Sequence, residues 1–155
     1  MENEEHSAKV ITRNAPISTK VSIEICSFIR GRKLSFAVNQ LNLVLKKKQA
    51  VPYKRFNRQV AHKASVKHAG RYPQNASKEF LNLLNTLKAN AIYKGLNEEG
   101  LVISGAIANR GPGRFHYGRM RGIRHKSTHI ELRAVEGEKK IENKKKGENM
   151  GEKKI

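Results

Sequence analysis

Aspartate and tryptophan are both missing from this 155-residue chain, and cysteine occurs once. Without aspartate no Ser-His-Asp set can be assembled. The lone Cys26 leaves no intrachain disulfide and suits a reducing compartment. No apolar run approaches the roughly 18 residues of a membrane-spanning helix, and no helical pattern pairs a basic face with aromatics. The first residues, Met1-Glu2-Asn3-Glu4-Glu5, carry neither the positive nor the apolar region of a secretory signal, so an intracellular setting is expected. Asn75-Ala76-Ser77 then reads as a helix start, not a glycosylation acceptor. Acids are the scarcest feature of all. From His6 to Val135 they are Glu24, Glu79, Glu98, Glu99 and Glu131 alone.

What is present is positive charge, a net +19. Self-repulsion on that scale opposes a compact state unless a polyanion offsets it, and nucleic acid is the polyanion this composition favours. The densest block lies between two strand-like ends, Leu101–Ala108 and Thr128–Val135. The second alternates apolar residues at Ile130, Leu132 and Ala134, as a half-buried strand requires. Between them, residues 109–127 hold five Arg, one Lys and two His with no acid. Phe115 and Tyr117 offer flat faces for stacking, as do the Arg planes. Like charges and little to bury predict that this segment does not fold onto itself. Two readings are open: a basic loop without fixed structure, or a two-stranded arm ordered only against nucleic acid. At roughly 3.3 Å per residue, half of 101–135 spans on the order of 50 Å.

The remaining chain reads in order. Ala8–Asn14 is a strand candidate closed by Ala15-Pro16. Ser18 stands as an N-cap before Val21, Ile25, Phe28 and Ile29 at helical spacing, with Gly31 as the stop. A second helix presents Leu34, Val38, Leu41 and Leu45, and ends in Lys46-Lys47-Lys48. The stretch 51–73 fits no period. From Lys46 to Tyr72 there are nine Lys or Arg and no acid, with Tyr53, Phe56 and Tyr72 interleaved. That is a second surface for phosphate. A third helix carries Phe80, Leu81, Leu84, Leu87 and Ala91, and Gly95 ends it. After Val135 almost nothing apolar remains. The order of elements implies an α+β domain: three helices packed on a small three-stranded antiparallel sheet, with a long protruding β-hairpin. Residues 1–7 are expected to be a flexible N-terminus and 137–155 a disordered tail. Residues 8–136, hairpin 101–135 included, are expected to form the nucleic-acid-binding domain.

Four segments resemble a known family, the large-subunit ribosomal proteins called L twenty-two in bacterial and archaeal naming and L seventeen in older eukaryotic naming. Ile17–Val21 through Ile29-Arg30-Gly31 looks like the family's first helix. Val51–Asn57 and Gly70-Arg71-Tyr72-Pro73 are similar to the insert of the archaeal and eukaryotic branch. Asn90-Ala91 with Lys94-Gly95-Leu96 matches the end of the third helix. Gly118–Gly122 with Ser127–Ile130 looks like the descending side of the long hairpin. Two departures stand out: Arg58-Gln59 replaces the family's usual glycine pair, and the hairpin is several residues shorter than in eukaryotic relatives.

The resemblance implies a structural constituent of the large ribosomal subunit. Such a protein binds large-subunit rRNA, supports assembly, and lines the nascent-peptide exit tunnel with its hairpin. The implied RNA-binding residues are Lys20 and Arg30 on the first helix. On the insert they are Lys54, Arg55, Arg58, Lys63, Lys67, Arg71 and Tyr72. On the hairpin they are Arg110, Arg114, Arg119, Arg121, Arg124 and Lys126. Carried across by position, the tunnel-lining tip is Arg114, Phe115, His116, Tyr117, Gly118, Arg119, Met120 and Arg121. The partners implied are rRNA, neighbouring ribosomal proteins and the passing nascent polypeptide. The setting implied is the cytosolic ribosome, with a nucleolar assembly stage in a eukaryote. No cofactor, membrane span or homo-oligomer is expected.

Rival chemistries find little support. His125 and His129 are four apart, but no Cys, Asp or third His lies at ligand spacing, so backbone or RNA contacts are the plainer reading. Gly111-Pro112-Gly113 lacks the strand-turn-helix setting of a dinucleotide fingerprint. Nothing argues for an enzyme. A free-standing DNA- or RNA-architectural protein and a transient ribosome-binding factor remain as alternatives.

Overall fold

A computed structural model of the chain describes residues 7–66 and 68–137. The expectations for Met1–His6, for Lys67 and for the tail from residue 138 onward lie outside the described residues. Along the chain run β1 (Ser7–Ala15), α1 (Thr19–Ile29), α2 (Leu34–Leu45), β2 (Val51–Pro52), β3 (His62–Lys63), β4 (His68–Arg71), α3 (Gln74–Tyr93), β5 (Leu101–Arg110) and β6 (Thr128–Glu136). The main sheet is antiparallel in the order β1-β6-β5, so the last strand lies at its centre. All three helices pack against one face of it. This is the expected α+β arrangement, hairpin β5–β6 included.

The alternation in β6 does what its spacing requires. Thr128, Ile130, Leu132 and Ala134 are buried, and the residues between them are not. In β5 the buried set is Leu101, Ile103 and Ala106, which breaks strict alternation. A bulge between Ile103 and Gly105 accounts for the slip, since one extra residue swaps the faces. The free edge of β5 is covered by the turn after α1. Gly31, at φ +74°, reverses the chain there. Its N–H donates to the Ile103 carbonyl at 2.8 Å, and the Ile103 N–H donates to the Arg32 carbonyl at 3.0 Å. Sheet edges left open invite foreign strands, and this one is capped around Val102 and Ile103.

Helix α3 buries Ala76, Ser77, Phe80, Leu83, Leu84, Leu87 and Ala91. Truncating Leu84 or Leu87 to Ala removes fully buried atoms, a change that costs about 2–5 kcal/mol. Helix α2 is rotated from its expected face: Leu34, Ala37, Leu41 and Val44 are buried, with Val38 only half-buried. A stripe of that width has two neighbouring solutions, and packing against α3 chooses between them. Strand β1 begins at Ser7, inside the segment expected to be flexible.

The stretch 51–73 carries more order than its sequence suggested. Strands β2, β4 and β3 form a second small antiparallel sheet, in that order. Strands of two to four residues are too short to show a period, which is why pattern reading passes over them. Gly70 permits the pairing. A Cβ there would stand 3.1 Å from Val66 and 3.2 Å from both Ala50 and the Val51 carbonyl.

Cys26 sits in the core at 2 % exposure, and burial pushes its thiol up to about 12. It stays protonated at neutral pH and packs as a small apolar group. Alkylation by iodoacetamide should therefore be slower in native buffer than in denaturant, on the order of a hundredfold. Equal rates would contradict this packing.

Candidate nucleic-acid interface

The hairpin divides at Gly111. Before it β5 packs on α1 and buries Leu101, Ile103 and Ala106, while from Pro112 to Lys126 no residue is buried. The free arm is thus shorter than the full span suggested, roughly 20 Å for the six residues from Pro112 to Tyr117. It is also ordered, contrary to the expectation drawn from its charge. The Gly111 N–H donates to Ser127 at 3.0 Å, that of His125 to Arg114 at 2.8 Å, and that of His116 to Ile123 at 3.0 Å. The chain reverses between Tyr117 and Gly122.

Ring contacts replace the missing core. The imidazoles of His116 and His125 stack at 3.4 Å, and the Arg124 guanidinium lies 4.4 Å from the centre of the Phe115 ring. The tip holds out large surface: Tyr117 is 91 % exposed, with Phe115, Met120 and Ile123 each more than half exposed. Arg114, Arg119 and Arg121 are exposed around them.

The insert is held by one buried acid. Glu24 lies on α1 at 1 % exposure. Its carboxylate accepts from the backbone N–H groups of Lys54 at 3.0 Å, Arg55 at 2.9 Å and Phe56 at 2.7 Å. Charge-assisted bonds of this kind are among the stronger ones a protein makes. They fix the loop that presents Lys54, Arg55 and Arg58, all exposed. Phe56 then gathers cations from two elements, with Arg55 at 5.4 Å and Lys20 at 5.8 Å from its ring centre. Lys63 lies 5.9 Å from the Tyr72 ring, and Arg71 lies 6.0 Å from that of Tyr53.

The candidate cations thus fall into groups. Lys20, Arg110, Arg124 and Lys126 converge from α1 and both sides of the hairpin root on one cavity of about 350 Å³. Tyr72 lines a second cavity beside it. Lys54, Arg55, Arg58, Lys63 and Arg71 belong to the insert. Arg114, Arg119 and Arg121 belong to the arm. Arg30 stands apart, ten residues or roughly 15 Å along the helix from Lys20, and its guanidinium donates to the Ala106 carbonyl, tying α1 to β5. Among the described residues the ion pairs are Lys9–Glu131, Lys88–Glu98 and Arg133–Glu131. None involves a candidate RNA-binding cation.

Several residues that shape this surface were not singled out from sequence. Asn14, at φ +58°, bulges out of β1, and its side-chain oxygen accepts from the Ser127 hydroxyl at 3.1 Å. Its N–H donates to Nδ1 of His129 at 3.1 Å, so that imidazole serves the backbone. The Thr128 hydroxyl donates to the Ile17 carbonyl at 2.8 Å and sits 2.9 Å from that of Thr19. Together these clamp the hairpin root to the start of α1. One signal for Glu24 was available: it is the only acid between Glu5 and Glu79.

The α+β domain presents a basic insert and a projecting arm whose cations enter no ion pair among the described residues, the surface expected of a nucleic-acid-binding protein with a projecting finger. Residues 10–135 match the family described as Ribosomal protein L22p/L17e, and the chain belongs to that family. It is similar to the protein named "Large ribosomal subunit protein uL22" from several archaea. It shares 46% identity over 112 residues with that of Archaeoglobus fulgidus, covering 71% of this chain and 72% of the relative. With that of Methanococcus vannielii it shares 45% over 107 residues, 68% and 70% of the two chains. With that of Nanoarchaeum equitans it shares 37% over 140 residues, 85% and 80%. The archaeal likeness agrees with the branch indicated by the insert.

Two substitutions test how the surface is built. At Gly111 a Cβ would stand 3.1 Å from Asn14 Oδ1, 3.2 Å from the His129 ring and closer still to Ser127 Oγ. Gly111→Ala should cost about 1–3 kcal/mol, as overpacking does, and urea unfolding with no change in midpoint would contradict the clamp. Glu24→Ala should cost about 3 kcal/mol, since bonds to a charged group contribute about 1.5–3 each and some of the freed N–H groups regain water. Faster hydrogen exchange at residues 54–56 is the accompanying sign, and unaltered exchange there would show that another group holds the loop.

Proposed function

We propose that the chain is a structural constituent of the large ribosomal subunit, seated on large-subunit rRNA by its insert and hairpin root, with the arm as a strut that lines the peptide exit tunnel. One observation carries the reading. The described candidate cations of insert, root and arm enter no ion pair with a described carboxylate. Family membership and the names of the archaeal relatives support the large ribosomal subunit as the partner.

In this role the chain is a scaffold, not an enzyme. Each Lys or Arg that meets a phosphate releases condensed counterions, which supplies affinity without reading sequence. The rings at the tip, Phe115 and Tyr117, stack on unpaired bases or border the path of the nascent polypeptide. The arm residues from Arg114 to Arg121 are the proposed tunnel wall. Neighbouring ribosomal proteins complete the seat, the chain enters as a single copy, and it works in the cytoplasm.

Affinity for an rRNA fragment should fall steeply with salt, each phosphate contact adding about 0.7–0.9 to the logarithmic slope. A flat response would contradict the reading. Replacing Pro112–Lys126 with a short glycine turn should leave the domain folded and impair maturation of large subunits. Normal particles from that variant would remove the arm from assembly.

A further inference from the structure

The two cavities at the hairpin root are parts of one groove. They share Ile17, Ser18 and Lys126, and each has a volume of about 350 Å³. Sites for small ligands run upward from about 300 Å³, so each half suits a fragment and the pair suits a nucleotide. The halves differ in chemistry. One is lined by Lys20, Arg110 and Arg124 besides Lys126. The other is lined by Tyr72 and Asn75 and holds no cation besides the shared Lys126. Neither half is lined by an acid.

We propose that this groove takes a single unpaired rRNA nucleotide, its phosphates among Lys20, Arg110, Arg124 and Lys126 and its base against Tyr72 and Asn75. The inference rests on the rRNA reading above and narrows it to one site and one ligand. A planar side chain and an amide at one end are the groups that stack on a base and bond its edge. Four cations at the other end are the groups that hold phosphate. The walls are built beforehand. The Thr19–Thr128 hydroxyl pair and the Thr128–Ile17 bond fix α1 to the hairpin, and Gly111 with Ser127 and Asn14 fixes the root. A groove held open in this way does not spend binding energy on ordering itself.

The test compares two labelled strands on the full chain by fluorescence anisotropy: a short single-stranded RNA, and a strand of the same length with a sugar-phosphate backbone and no bases. Wild type should prefer the RNA. In Tyr72→Leu that preference should shrink by about tenfold, the scale of one lost base stack, with the salt slope unchanged. Asn75→Ala, at an exposed position, should reduce it about threefold, the scale of one hydrogen bond lost without a buried partner, and reports whether or not Tyr72→Leu folds. Lys126→Gln should weaken both strands alike and lower the salt slope by about one. If Tyr72→Leu and Asn75→Ala both keep the wild-type preference, the groove is electrostatic only and the proposal falls, while RNA binding stands. If wild type binds neither strand at low salt, the rRNA reading falls with it.

Discussion

Like-charge repulsion is the constraint that organises this molecule. With so few acids, folding places the cations at the perimeter and keeps the interior apolar, and each described carboxylate with a partner has a specific task. Glu131 pairs with Lys9 and Arg133 on the outer face of the sheet, and those partners, the Arg133 bond foremost, hold its carboxyl below the usual range. Glu98 pairs with Lys88. Glu24 is spent on backbone N–H groups, where it orders a loop without neutralising any of the loop's cations. The charge left over is therefore available to a partner by construction.

That arrangement links packing to function. The hydrophobic core is drawn from three helices, one sheet face and the start of the insert at Val51 and Tyr53, and it stops at the hairpin root. Beyond the root the arm is supported by backbone pairing, the stacked histidines and Arg124 over Phe115. Contacts of that kind contribute about 0.5–1.5 kcal/mol each, enough to bias a shape and too little to resist a binding partner. A finger so built can enter a ribonucleoprotein with its path set and its side chains still adaptable.

The parts legible in the sequence were those with long periods or unambiguous stops. Phe80, Leu84, Leu87 and Ala91 announced α3, Ile130, Leu132 and Ala134 announced β6, and Gly31 and Gly95 both proved to be left-handed helix stops. The insert's sheet was hidden because its strands are shorter than any pattern window. The order of the arm was hidden because charge counts say nothing of stacking between His116 and His125. The convergence of Lys20, Tyr72, Arg110 and Lys126 was hidden for a different reason. It depends on hydrogen bonds between residues more than a hundred apart, Thr19 with Thr128 and Asn14 with Ser127.

The most direct measurement is thermal unfolding of the isolated chain across a salt series. Screening weakens repulsion between exposed cations more than it weakens the apolar core. The melting temperature should rise as salt is added, and rise further at low salt when an rRNA fragment is supplied. A melting temperature that stays level or falls, with no response to the RNA, would mean that the charge is balanced within the chain and would contradict the account.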